Sequence, residues 1–380
     1  MSQNSDSPLL GALPDLLMRL WRHLTHRRQR QFGLLMGLSL ASAFAEVVSL
    51  GAVLPFIGVL TAPEQVFKHH IVARLAYAWG ITSADRLVLP LTLTFAAAAM
   101  SAGAIRILLL WVSTRLALAT GADLSSEVYR HTLYQPYRVH VARNSSEVIG
   151  GITNKVSSAV SVLSSLMTLI SSILSLVAIS LALIAINPAV ALVAFVGFGA
   201  SYGLITFMSR RRLKLNSQHI AHNLTQVVKA LQEGLGGIRD VLLDGTQQLY
   251  CNIYRQADAP WRRAQGNNAF ISSCPRYAME AMGMVLIAAL AYGLNNQSGG
   301  VATALPVLGA LALGAQRLLP ALQQSYSAWA SIAGEHASFA DIIELLDQPL
   351  PAEMLLPAPP PLPFLESIRF NAVRFRYTSD

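Results

Sequence analysis

The 28 basic and 20 acidic side chains make up only 13% of 380 residues, while 53% are apolar; ordinary soluble domains are about 25% charged. Such a composition excludes disorder, collagen-like repeats and nucleic-acid-binding arms as the main theme. Two cysteines, Cys251 and Cys274, exclude a disulfide framework and any four-cysteine metal site.

In chain order, a leader comes first. Leu9, Leu13, Leu16, Leu17, Leu20 and Leu24 recur at helical spacing beside Arg19 and Arg22. This pattern predicts a helix lying at a membrane surface; a disordered leader is the alternative. Six stretches then each supply the roughly 20 apolar residues needed to cross a ~30 Å hydrocarbon core: 32–60, 87–118, 160–186, 189–208, 271–294 and 301–332. The first is too long for a cleaved signal peptide and lacks its small-residue cleavage pattern. Between the first two, Phe67, Ile71, Leu75 and Ala78 beside Trp79 fit a short amphipathic helix at the outer surface, with simple loop packing as the alternative.

Lys and Arg in the loops set the orientation. Five lie before residue 31, four in 118–157 and nine in 209–265, against three in 61–86. Both termini are therefore expected in the cytoplasm of a multi-pass inner (plasma) membrane protein. The net charge of +8 becomes a matter of topology, with no nucleic-acid partner.

The cytoplasmic loops read as helices. Residues 91–135 and 189–233 each run 45 residues without proline, about 70 Å if helical. Each excursion breaks at its far end. The first breaks at Gln135-Pro136-Tyr137, before Asn144-Ser145-Ser146-Glu147, where Ser145 fits a helix cap. The second breaks at Gly234 to Gly237, followed by a short run from Ile238 to Asp244 and then Gly245. Glycines flanking one or two turns predict a small helix across each tip.

Seven prolines among the fifteen residues 349–363 make a stiff linker. Beyond it, Ile368, Phe370, Val373, Phe375 and Tyr377 alternate with a slip at Asn371-Ala372, the pattern of an edge strand with a bulge.

Together these features resemble the membrane half of an ABC exporter, an all-α membrane domain followed by the first strand of a nucleotide-binding domain. The resemblance divides the chain into an interfacial helix (1–30), a six-span domain (31–333), a helix end and linker (334–363) and first strands (364–380). It implies that Tyr377 stacks on adenine. It also implies that the tips near 136–144 and 237–245, with Tyr137, Arg138, Ile238, Arg239 and Asp240, are coupling helices docking into ATPase domains. A homodimer or paired half-transporter follows from the same resemblance. A narrower similarity, to bacterial flippases of lipid-linked oligosaccharides, rests on Ala45-Glu46 with Leu54-Pro55-Phe56, on Asn144-Ser145-Ser146-Glu147, on Pro275-Arg276 with Glu280, and on Gln316-Arg317-Leu318-Leu319-Pro320.

No G-x-x-x-x-G-K-[ST] occurs, so the phosphate loop is missing. ATP and Mg²⁺ would bind only through an ATPase domain supplied in cis or in trans. The chain is not expected to hydrolyse ATP alone, and a truncated product is expected. A non-transporting membrane scaffold is the other class; another amphiphile, peptide or drug is the other cargo.

Glu46, Arg106, Arg276, Glu280 and Arg317 fall inside the spans. Each costs at least ~2.5–3.5 kcal/mol at a helix centre, so each needs a partner or a wet cavity. Arg276 and Glu280 can pair at i, i+4, and Glu46 can neutralise Arg106 or Arg317. Such pairs could simply fix helix packing. Alternatively, the three arginines line a substrate cavity and contact an anionic lipid-linked head group, for which arginine is better suited than lysine. Pro275, Pro306 and Pro320 are hinge or kink positions.

Overall fold

The computed structural model describes residues 9–61, 88–142, 150, 154–186, 188–295, 300–350, 361, 363 and 366–374. Within them the chain is helical: α1 (Leu9–His23), α2 (His26–Thr61), α3 (Val88–Leu133), α4 (Tyr137–Ala142), α5 (Val156–Ile186), α6 (Pro188–Gly236), α7 (Ile238–Leu243), α8 (Gln247–Asn295) and α9 (Gly300–Leu346). Each of the six apolar stretches lies within a long helix, and α3 and α6 run on to 46 and 49 residues. Among the described residues, His26–Ser49, Val88–Leu133 and Val156–Ala185 are long and apolar enough to cross a membrane.

Helix α9 is the hub. Its C-terminal half buries Phe339, Ile342, Ile343 and Leu346 against Leu116, Leu124 and Val128 of α3 and Val156, Val162 and Leu163 of α5. Further toward its N-terminus, Leu318, Tyr326 and Ala330 pack with Ile179 of α5, Phe198 and Leu213 of α6 and Met279 of α8. The first cluster lies largely beyond the apolar stretches, where water drives burial; each large side chain contributes about 1.5–3 kcal/mol. The helices also approach closely where a small residue allows it: a Cβ at Gly121 would overlap Val160 Cγ2 across the α3–α5 contact.

Helix α1 forms as expected, and part of its leucine stripe packs on protein. Leu16, Leu20 and Leu24 are buried in the cluster with α9. Arg19 and His23 clasp Asp347 at the end of α9, with Arg19 Nε donating at 2.6 Å and His23 Nε2 at 2.7 Å. An amphipathic stripe reports a buried face without saying whether lipid or protein covers it. Met18 and Trp21 remain exposed on the other side.

Both tip helices are present. At the first, Pro136 O accepts from Val139 N at 2.9 Å as α4 begins. The Gln135 amide donates to Pro349 O at 3.4 Å, tying this tip to the start of the linker. At the second, α7 ends with Gly245 at φ +64°. There Thr246 N reaches back to Val241 O at 3.1 Å, the 6→1 bond of a Schellman stop. A left-handed residue at this position favours glycine.

The expected C-terminal strand does not form over 366–374, the described part of that segment. Ile368, Phe370 and Val373 are exposed. Alternation specifies a strand only when a second strand takes its backbone hydrogen bonds. Ala372 takes φ 50° at the expected slip. The amphipathic helix around 67–79, the Ser145 cap and Tyr377 lie outside the described residues.

Candidate functional site

Along α2, Ser39, Ser42, Glu46 and Ser49 fall three, four and three residues apart, so they share one helix face. All four are buried. This polar face meets α3, α5 and α9 around a cavity of about 560 Å³. Helix α3 contributes Arg106 and Ser113, α5 contributes Thr168, Ser171 and Ser175, and α9 contributes Gln316 and Gln324. Leu35, Leu109, Met167 and Pro320 supply apolar patches between them.

Arg106 forms an ion pair with Glu46. The Glu46 side chain is 9% exposed and that of Arg106 47%. The carboxylate is thus taken from solvent with a cation beside it, while the guanidinium reaches into open space. Three of the hydroxyls bond to their own helices. Ser39 donates to Leu35 O, Ser113 to Leu110 O and Thr168 to Ser164 O, each at 3.0 Å.

A smaller cavity of about 290 Å³ lies between α6, α8 and α9, lined by Tyr202, Ser272, Arg276, Tyr277 and Tyr326 among others. Gln324 lines both cavities, and its Oε1 accepts from Ser172 Oγ at 3.3 Å. Arg276 Nε donates to Glu280 Oε1 at 3.0 Å, the pairing expected from their spacing, with both side chains substantially exposed. Pro275 sits inside α8 without ending it.

The four charged candidates with described side chains therefore fall into two groups. Arg106 and Glu46 occupy the first cavity and Arg276 lines the second, paired with Glu280. Arg317 lies on α9, with its side chain outside the described residues. Sequence reasoning missed the hydroxyl lining. The signal was available in the spacing of Ser39, Ser42 and Ser49 around Glu46.

The tip candidates form two apolar surfaces. Tyr137 and Val141 on α4 are exposed, as are Leu235, Ile238, Leu242 and Leu243 on and beside α7. Arg138, Arg239 and Asp240 are exposed there too.

Outside the cavities, several ionisable groups are paired within or between helices, or buried. Lys155, itself buried, donates to Asp341 Oδ2 at 2.5 Å. The hydrogen bond from Arg130 to Glu127 lowers that carboxyl, overcoming its partial burial. Burial raises the Asp347 carboxyl, but bonds from His23 and Arg19 outweigh it and hold it below the ordinary range. Burial, aided by the charge of Lys214, pushes the His336 imidazole down, and its Nε2 is buried without a partner.

Residues 37–303 match the family model of the ABC transporter transmembrane region. Among curated proteins none matches the chain.

Proposed function

Because this chain belongs to the family of ABC transporter transmembrane regions, we propose that it is the membrane half of an ATP-driven exporter that flips a lipid-linked saccharide. One observation carries the reading: long apolar helices enclose a cavity lined by hydroxyls, amides and a buried ion pair. Polar groups at that depth are costly and mark a translocation path. The exposed apolar face of α3, with Leu93, Met100, Ile107, Trp111 and Leu118 at helical spacing, fits contact with lipid.

In this reading the six long helices all cross the inner membrane, with both termini in the cytoplasm as the Lys and Arg distribution requires. Two copies, or two half-transporters, pair. ATP and Mg²⁺ bind to an ATPase domain in cis or in trans. That domain grips the apolar tips of α4 and α7, and its closure moves α3, α6 and α8 as levers. Rigid helices convey the motion, and access switches from one side of the bilayer to the other. Arg106, Arg276 and Arg317 are the cations on the path of an anionic, lipid-linked cargo, and Glu46 and Glu280 hold two of them in place.

The test is flipping of a labelled polyprenyl-pyrophosphoryl saccharide in proteoliposomes that hold this chain with an ATPase domain. The expected result is ATP-dependent loss of label from one leaflet, abolished by Arg276→Ala and by Arg317→Ala. Unchanged flipping by both variants at normal expression would reject the arginine assignment. No flipping in the unsubstituted protein would reject the cargo.

A further inference from the structure

Helix α6 changes character at one point. Residues 189–208 carry no charged side chain, and Arg210, Arg211 and Arg212 follow almost at once. All three are exposed. With the apolar stretch in hydrocarbon, they stand at the depth of the lipid headgroups. Nothing in their own helix neutralises them. The only acid of α6 is Glu233, which pairs with Lys229 and lies about 30 Å further along the axis. Among the described residues no carboxylate forms an ion pair with any of the three. Apolar side chains flank them instead. Leu204, Met208 and Leu215 are exposed and share the helix face of Arg211, at steps of four, three and four residues. The Arg210 guanidinium carbon sits 4.6 Å from the centre of the exposed Phe207 ring, a cation–π contact that orients it.

We propose that Arg210 and Arg211, beside Phe207 and Met208, form a site on the exposed face of α6 for an anionic phospholipid of the phosphatidylglycerol type. Its phosphodiester is held by the two guanidinium groups, and its acyl chains lie along Leu204 and Met208. A protein partner would have to bring carboxylates to headgroup depth, whereas phospholipid already presents phosphate there. Phosphatidylcholine fits worse, because its ammonium group adds positive charge where no carboxylate receives it. Positive charge alone also orients a span, and lysine would serve that purpose equally. A phosphate site gains from the planar, multi-donor geometry that lysine lacks. The inference rests on the membrane embedding that the family implies and stands apart from the flippase reading.

The experiment is a lipid titration read by native mass spectrometry on the full chain in mild detergent. The probes are phosphatidylglycerol and phosphatidylcholine with the same acyl chains. Phosphatidylglycerol should bind tighter. Arg210→Gln with Arg211→Gln should weaken it by about fivefold for each arginine lost and leave phosphatidylcholine unchanged. Arg255→Gln with Arg263→Gln removes as much charge from exposed positions of α8 before its apolar stretch, and should leave phosphatidylglycerol binding within about twofold. Arg210→Lys with Arg211→Lys keeps the charge, and with it the topology signal, so it separates geometry from charge. It should still weaken phosphatidylglycerol by about threefold or more. Binding by the lysine variant equal to that of the unsubstituted chain would reduce the patch to a charge belt and overturn the inference. Equal losses in the two glutamine variants, or equal binding of the two lipids by the unsubstituted chain, would do the same. The same spectra report oligomeric state. A dimer that Arg210→Gln with Arg211→Gln splits, with lipid counts unchanged, would assign the patch to a second copy and also overturn it.

Discussion

Replacing Arg106 by alanine strands Glu46, and the structure sets the size of the penalty. The Glu46 side chain is 9% exposed and that of its partner 47%. An uncompensated buried charge costs about 3–5 kcal/mol. The destabilisation of Arg106→Ala should therefore lie at about 3–5 kcal/mol. Glu46→Gln should cost less, about 1.5 kcal/mol, because the half-exposed guanidinium still reaches water. Arg106→Ala combined with Glu46→Gln should cost no more than Arg106→Ala alone, a coupling energy of about 2 kcal/mol. Unfolding in mixed micelles, run as a double-mutant cycle, measures all of this. Equal single effects that add without coupling would refute the picture of a buried carboxylate held by its partner cation.

Other consequences lie outside the two cavities. Gly121→Ala places a methyl group onto Val160 Cγ2, and a β-branched side chain has little freedom to move aside. Overpacking of about 1–3 kcal/mol should outweigh the ~1 kcal/mol gained in helix propensity, and Val160→Ala should rescue the melting temperature. His336 is held neutral by burial and by Lys214, so the unfolded chain takes its proton first as pH falls. Its contribution is complete above the ordinary histidine value of about 6.5 and is lost as pH falls through the lowered folded value. The melting temperature should drop between pH 7.5 and 5.5, and His336→Gln should flatten that drop.

Much of this architecture was legible because it rests on local signals. Apolar length marked the long helices. Pro136, Gly237 and Gly245 punctuated the tips, and the left-handed Gly245 stops α7 locally. The Arg276–Glu280 pair was legible because both residues belong to one helix. Glu46 was different: its sequence position allowed Arg106 or Arg317, and only the packing of α2 on α3 decides for Arg106. The leucines of α1 advertised a buried face, yet nothing local distinguishes lipid from the end of α9. Ser39, Ser42 and Ser49 hid within an apolar run, where single serines read as packing. The stretch around Phe370 has the right alternation, but its strand depends on partners that local sequence does not supply.

Accessibility of the two tips is the most direct test. The account places α4, α7 and the exposed native Cys251 on one side of the membrane, in the cytoplasm. With Cys251 and Cys274 replaced, single cysteines at Arg138 and Arg239 should resist a membrane-impermeant maleimide in intact cells. Both should react fully in inside-out vesicles. Labelling of one from outside and the other from inside would contradict the account at its root.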